Sequence, residues 1–479
     1  MILLSTLLFL GIISTHYYCN INEILSKTYF FALGFKLFCG FLLYQLHLSF
    51  AILPDLIFYK QDIVRLSNYF WSDTIGYLNF LLTGKLNPAW KYVFATEGER
   101  AFFFVRYLSL LNLLAAQNMY LTSLYSSFIA FIGLWACANR LANWFIQESN
   151  SKNKARQIKL ALYIGFFFSP SVAFWSSSLM KESFMWFIMG LLIAFFLDIL
   201  EYFKEYEDTK SKKSSFTGIV IKSISFLILC VCLFLLKYYY FALLVPLLIA
   251  FGVSFFTVYF FKKSIRFQLL VFLGSFVCIV GLASNLHPNL WLSRISEAIF
   301  INQQNILSKS DFDSQIYFVY DYDFEPLHQN YFQDQYGHRA YKNYPSLFQL
   351  FEQSPKALLA GLFFPLAIDF SSFGTSDFNY YKLASAIENW VILFLLIQTI
   401  SIKKLAYQIR FLFSPKSKPN TLIVLWCLGI IFCLGMATLL ALSAPNVGAI
   451  IRYKVGFLPF FIFGIIMRLD EFFINLLQK

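Results

Sequence analysis

The chain has 479 residues, of which 59% are hydrophobic and 13% charged, with a mean hydropathy of +0.63. That composition excludes a soluble fold, which could not cover so much apolar surface with so little polar surface. The formal net charge of +12 does not imply a nucleic-acid partner, because Lys and Arg gather in short clusters between apolar runs, as the positive-inside rule expects.

Taken in chain order, runs long enough to cross a hydrocarbon core of about 30 Å lie at 2–18, 29–49, 119–138, 159–176, 183–201, 216–236, 239–261, 267–284, 385–402, 421–442 and 452–468, about eleven in all. The expected fold is therefore all-α, one polytopic membrane domain over 1–479. The basic clusters are Lys152, Lys154 and Arg156; Lys210, Lys212 and Lys213; Lys262, Lys263 and Arg266; and Lys403, Lys404, Arg410, Lys416 and Lys418. Placing them on one cytoplasmic side puts the N-terminus outside and the C-terminus inside. The first run has no basic residues before it and no clear small-residue cleavage site, so it reads as a helix and not as a signal peptide. Lys36 and Lys222 sit one to two turns inside their spans, within snorkelling reach of the cytoplasmic face.

Two long segments remain on the outer side, residues 50–118 and 285–384. Within the second, 356–370 is apolar but short and broken by Pro365, which predicts a re-entrant or interfacial helix. The loop 311–344 mixes aromatic and acidic residues in a way that suits a carbohydrate or an interfacial belt. The eight cysteines form no CxxC pair and read as small hydrophobes. His328, Asp334 and His338 are too loosely spaced for a metal site, and no Walker loop or dinucleotide turn is present, so no metal and no cofactor is expected.

The basic residues on the outer side are few: Arg100, Arg106, Lys181, Lys237, Arg452 and Lys454. Each taken alone reads as a helix-end anchor. Together they form a seat for a phosphate or pyrophosphate, to which Arg offers a bidentate fork. A polyprenyl-linked sugar presents such a group at this depth, with its tail in lipid. Phosphate contacts fall to Arg106, Lys181 and Arg452, supported by Lys237 and Lys454. Carboxylates on the same side are Asp55, Asp62, Asp73, Glu97, Glu99, Glu182 and Glu388. Asp73 or Glu182 is the candidate acid or base for deprotonating an acceptor hydroxyl. Equally, Asp73 reads as a helix cap and Glu182 as the partner of a neighbouring cation.

Three short stretches carry a resemblance: Ser169-Pro-Ser-Val-Ala-Phe-Trp-Ser-Ser-Ser-Leu-Met-Lys-Glu182; Leu362-Phe-Phe-Pro365 with Ala386-Ile-Glu-Asn389; and Ala444-Pro-Asn-Val-Gly-Ala-Ile-Ile-Arg-Tyr-Lys454. The chain resembles polytopic bacterial surface-polysaccharide proteins, both the C-type glycosyltransferases that use polyprenyl-phosphate sugars and the repeat-unit polymerases of O-antigen and exopolysaccharide. The resemblance implies phosphate contacts from Arg452 and Lys181 and an outer-loop acid at Asp73. C-type enzymes carry that acid after the first span, whereas Asp73 follows the second. It further implies an undecaprenyl-linked saccharide donor and a saccharide acceptor at the outer face of a bacterial inner membrane. A transporter or flippase of lipid-linked saccharide is the alternative, and it predicts polar residues spread through the spans.

Overall fold

A computed structural model describes residues 1–50, 54–85, 87, 90, 94–95, 99–147, 151–209, 216–261, 264–285, 287, 290–291, 295–300, 331–333, 339–341, 347–366, 380–399, 420–444 and 447–467. The basic loop 403–418, Lys210, Lys212, Lys213, Lys262, Lys263, Glu97 and most of the aromatic loop 311–344 lie outside them. The chain divides into two compact units, Met1–Phe241 and Ala242–Lys479.

The first unit holds α1 (Ile2–Cys19), α2 (Tyr29–Phe50), α3 (Pro54–Ser72), α4 (Thr74–Thr83), α5 (Glu99–Leu114), α6 (Met119–Gln147), α7 (Lys152–Leu162), α8 (Pro170–Trp175), α9 (Lys181–Thr209) and the first part of α10 (Phe216–Phe261). Its centre is α6, whose apolar and small residues are buried along nearly its whole length. α2 runs antiparallel to α6: Tyr120 meets Gln45, Ser123 meets the Gly40 carbonyl, and Leu25 N–H reaches Asn139. α9 runs parallel to α6, with Ser183 on Ser126, Asp198 on Arg140 and Glu201 on Gln147. Between those points the two backbones nearly touch at Gly133 and Gly190; a Cβ on Gly133 would lie 2.1 Å from the Trp186 carbonyl oxygen. Small residues at a helix crossing allow that approach inside a membrane.

The expected span 159–176 takes a different form. It is α7 followed by a π-helical turn, Tyr163–Phe168, then α8, and it ends in a buried turn at Ser176, Ser177 and Ser178. Pro170 brings no N–H to the helical ladder, and Ser169 Oγ caps the new helix by accepting from Val172 N–H. The two expected spans 216–236 and 239–261 are two helices that meet at Lys237, where φ is −147° and ψ is 79°, and together they are labelled α10.

The second unit holds the rest of α10, α11 (Ile265–Ala283), α12 (Leu347–Phe363), α13 (Tyr380–Thr399), α14 (Thr421–Ser443), α15 (Val447–Tyr453) and α16 (Leu458–Ile466). Leu350, Ala357 and Ala360 of α12 pack on Ala441 and Leu442 of α14. The fold is helical as expected, with one short antiparallel hairpin, β1 (Tyr331–Gln333) against β2 (Arg339–Tyr341), within residues 285–384.

Eight described helices are long and apolar enough to cross a membrane, or nine when the bent pair Gly448–Gly456 and Leu458–Ile466 counts as one broken span. The count differs from eleven because 159–176 is broken into short helices and because the two helices that meet at Lys237 are counted as one candidate. The merged candidate, Thr217–Thr257, has 41 residues, roughly 60 Å of helix and about twice a hydrocarbon core. α12 is not among the spanning candidates, and residues 367–370 of the expected interfacial or re-entrant helix at 356–370 lie outside the described residues.

Candidate functional site

The site is built at the head of α9. The tight turn after α8 places Lys181 and Glu182 as the first residues of the new helix. Glu182 Oε1 accepts from Lys237 Nζ at 2.7 Å, and the two side chains are only 2% and 4% exposed. Lys237 is the residue at which α10 breaks, so the ion pair ties the head of α9 to that break. Lys181 Nζ lies 5.4 Å from the centre of the Tyr59 ring on α3, and Arg100 of α5 stacks 4.2 Å over Tyr238, the neighbour of Lys237. Both are cation–π contacts. Tyr107 stacks on Phe184 at 3.7 Å, and its buried hydroxyl has no hydrogen-bond partner among the described residues.

A second ion pair fixes the other end of these helices. Asp198 on α9 is held by Arg140 at 2.6 Å and Lys222 at 2.5 Å. Glu182 and Asp198 are roughly 24 Å apart along α9, so the two pairs brace α9 against α10 near opposite edges of an apolar slab of about 30 Å. Lys222, expected to snorkel, is therefore tied to Asp198. Lys36 departs further from expectation: it is 3% exposed, and its Nζ donates to the Ala173 carbonyl at 3.3 Å and to Ser176 Oγ. Around it, Ser123 bonds Ser178 at 2.9 Å, and Ser178 N–H donates to Ser127 Oγ at 2.8 Å. The ammonium satisfies carbonyl and hydroxyl groups left at the end of α8, which is cheaper than pulling a short helix end through lipid.

Asp73 and Arg106, expected as acid and phosphate ligand, sit at opposite ends of α4. Asp73 is its N-cap and accepts from Gly76 N–H at 2.8 Å, with Tyr69 and Asn87 each at 3.3 Å. The Gly76 N–H bond holds the Asp73 carboxyl below the usual carboxylate range, and the Asn87 and Tyr69 bonds add to it. A more acidic carboxyl is a weaker base. Arg106 donates to the Leu81 carbonyl at 3.2 Å and lies beside Gly84, whose φ of +74° ends the helix. The two residues are roughly 15 Å apart along α4, and neither joins the Lys181–Glu182 group. Asp62 is fully buried and accepts from Ala95 N–H at 3.0 Å.

In the second unit, Lys454 is 1% exposed and donates to Asn389 Oδ1 and, at 3.3 Å, to Ser385 Oγ. Glu388 is close enough to act on its charge. Asn389 in turn donates to the Pro365 carbonyl at 3.0 Å. Arg452 donates to the Tyr453 hydroxyl at 3.1 Å. These residues surround the 67° bend between α15 and α16.

Of the seven residues singled out in the sequence, the structure joins Glu182 to Lys237, sets Lys181 beside them, and sends Asp73 and Arg106 to helix caps. Arg100 was visible as an outer cation; its place in this group comes from Tyr238. No three His, Cys, Asp or Glu side chains gather to hold a metal among the described residues. Comparison with protein-family models, with curated proteins and with solved structures returns no match.

Proposed function

We propose that the protein is a membrane-embedded glycosyltransferase or repeat-unit polymerase. It takes an undecaprenyl-linked saccharide as donor and passes it to a saccharide acceptor at the outer face of a bacterial inner membrane. The observation that carries this reading is the head of α9, where two cations rest on tyrosine rings beside a buried ion pair at a helix break. Arg100 and Lys181 supply positive charge to a departing phosphate, and charge stabilisation of that kind is a large part of such catalysis. Glu182 is engaged by Lys237 and Asp73 by its cap, so binding and positioning of the donor carry more of the chemistry than a strong base does.

The test is glycan analysis of strains carrying Arg100→Ala, Lys181→Ala or Arg452→Ala, with membrane levels of each variant matched to wild type. Loss of surface polysaccharide with build-up of single lipid-linked repeat units supports a polymerase. Loss of one sugar from an otherwise intact glycan supports a single-addition transferase. Unchanged glycan in all three variants sinks the reading.

A specific observation favours the second reading, transport of the lipid-linked saccharide. Lys36 lies near the middle of the Ser26–Ser49 candidate span, and Lys454 lies inside the broken pair, both buried among polar partners. Purified protein in vesicles separates the two: transport moves the donor between leaflets unchanged, whereas transfer consumes it.

A further inference from the structure

The exposed surface of α4 is divided lengthwise. Ile75, Leu78 and Leu82 of α4 fall at helical spacing on one stripe, with Ile75 82% and Leu82 86% exposed, and Trp71 at the end of α3 is exposed as well. Asn79 and Thr83 line the adjoining flank and are also exposed. The remaining face is packed, with Tyr77 and Phe80 fully buried. A helix packed on one side, apolar on the second and polar on the third has the division of a helix lying in a membrane interface.

The charges around it point the same way. Between Leu56 and Lys85 the exposed charged side chains are Lys60, Arg65 and Lys85, all basic, whereas Asp62 is buried and Asp73 is occupied as a cap. The level is set by neighbours: Tyr59 of α3 covers Lys181, the first residue of a spanning candidate, so α3 and the start of α4 lie at the end of a span. Both ends of α4 are held, by Asp73 and by Arg106, so the stripe is presented as a rigid edge about 10 Å long.

We infer that α4 is a monotopic membrane anchor: its Ile75–Leu78–Leu82 edge enters the acyl region of the leaflet, and Lys60, Arg65 and Lys85 sit on anionic phospholipid headgroups. This goes beyond the proposed activity and holds whether the protein transfers or transports.

The test uses the full-length protein in bilayers of phosphatidylethanolamine and phosphatidylglycerol, with a benzophenone side chain introduced at position 75, 82 or 83. All three side chains are exposed, so the fold tolerates them. Mass spectrometry should find phospholipid adducts at 75 and 82, reduced several-fold at 83 on the polar flank. Cross-links between two copies at 75 and 82, with no lipid adduct, would overturn the inference in favour of a dimer interface. Absence of both products, or equal lipid adducts at all three positions, would also overturn it. Replacing phosphatidylglycerol by phosphatidylcholine separates the headgroup claim: adducts at 82, next to Lys85, should fall. Unchanged adducts at 82 would refute the role of the basic residues.

Discussion

Glu182 and Lys237 illustrate how a residue's neighbours decide its role. A buried ion pair contributes little net stability, because desolvating two charges offsets their attraction, yet removing one partner strands the other. Glu182→Ala should therefore lower stability by about 3–5 kcal/mol, read as a drop in the thermal midpoint in detergent. Glu182→Met with Lys237→Met should recover most of that loss. A double variant that folds but makes no product would assign the pair to the chemistry; one that folds and works would make it a brace. The basic and acidic residues themselves were legible in the sequence as departures from the charge bias. Which cation meets Glu182 was not: Lys181 is its neighbour in the chain, but helical geometry turns adjacent side chains about 100° apart, and the partner comes from α10. The fate of Asp73 follows from local structure as well. A carboxylate three residues before Gly76 at the start of a helix accepts its N–H, so the cap role needed only the helix start to be known.

At the scale of elements, α6 and α9 are held by close backbone approach as well as by side chains. Gly133→Ala places a methyl against the Trp186 carbonyl and should destabilise the pair by about 1–3 kcal/mol or more. Gly218→Ala, with open space around it, should leave the thermal midpoint unchanged or slightly raised. Equal midpoints for the two variants would mean that the helices separate readily at this crossing. Most spans were legible from apolar length alone, since 2–18, 29–49, 119–138 and 183–201 each correspond to one helix. The exception at 159–176 arises because apolarity does not reveal a helix break buried in protein. There Lys36 and the serines of α6 satisfy the freed backbone groups, and neither is adjacent in sequence.

For the molecule as a whole, the parallel course of α6 and α9 has a topological consequence. Gln147 and Thr209, the last residues of α6 and α9, should lie on one side of the membrane, and α3–α5 on the other. Reporter fusions after Ser151 and Ser215 should give the same compartment, and an insertion after Lys85 the opposite one. Opposite results for the two fusions would break the parallel arrangement of α6 and α9.

The sequence by itself determined the class. Its apolar content, the lengths of the runs and the clustering of Lys and Arg leave only an α-helical membrane protein, because burial of apolar surface and of backbone polar groups is set by composition and length. Tertiary structure alone decided which charges meet. Ion pairs, cation–π contacts and helix caps act over a few ångströms, and the residues that make them, Lys36 with Ser176 or Arg100 with Tyr238, are separated by more than a hundred positions of chain.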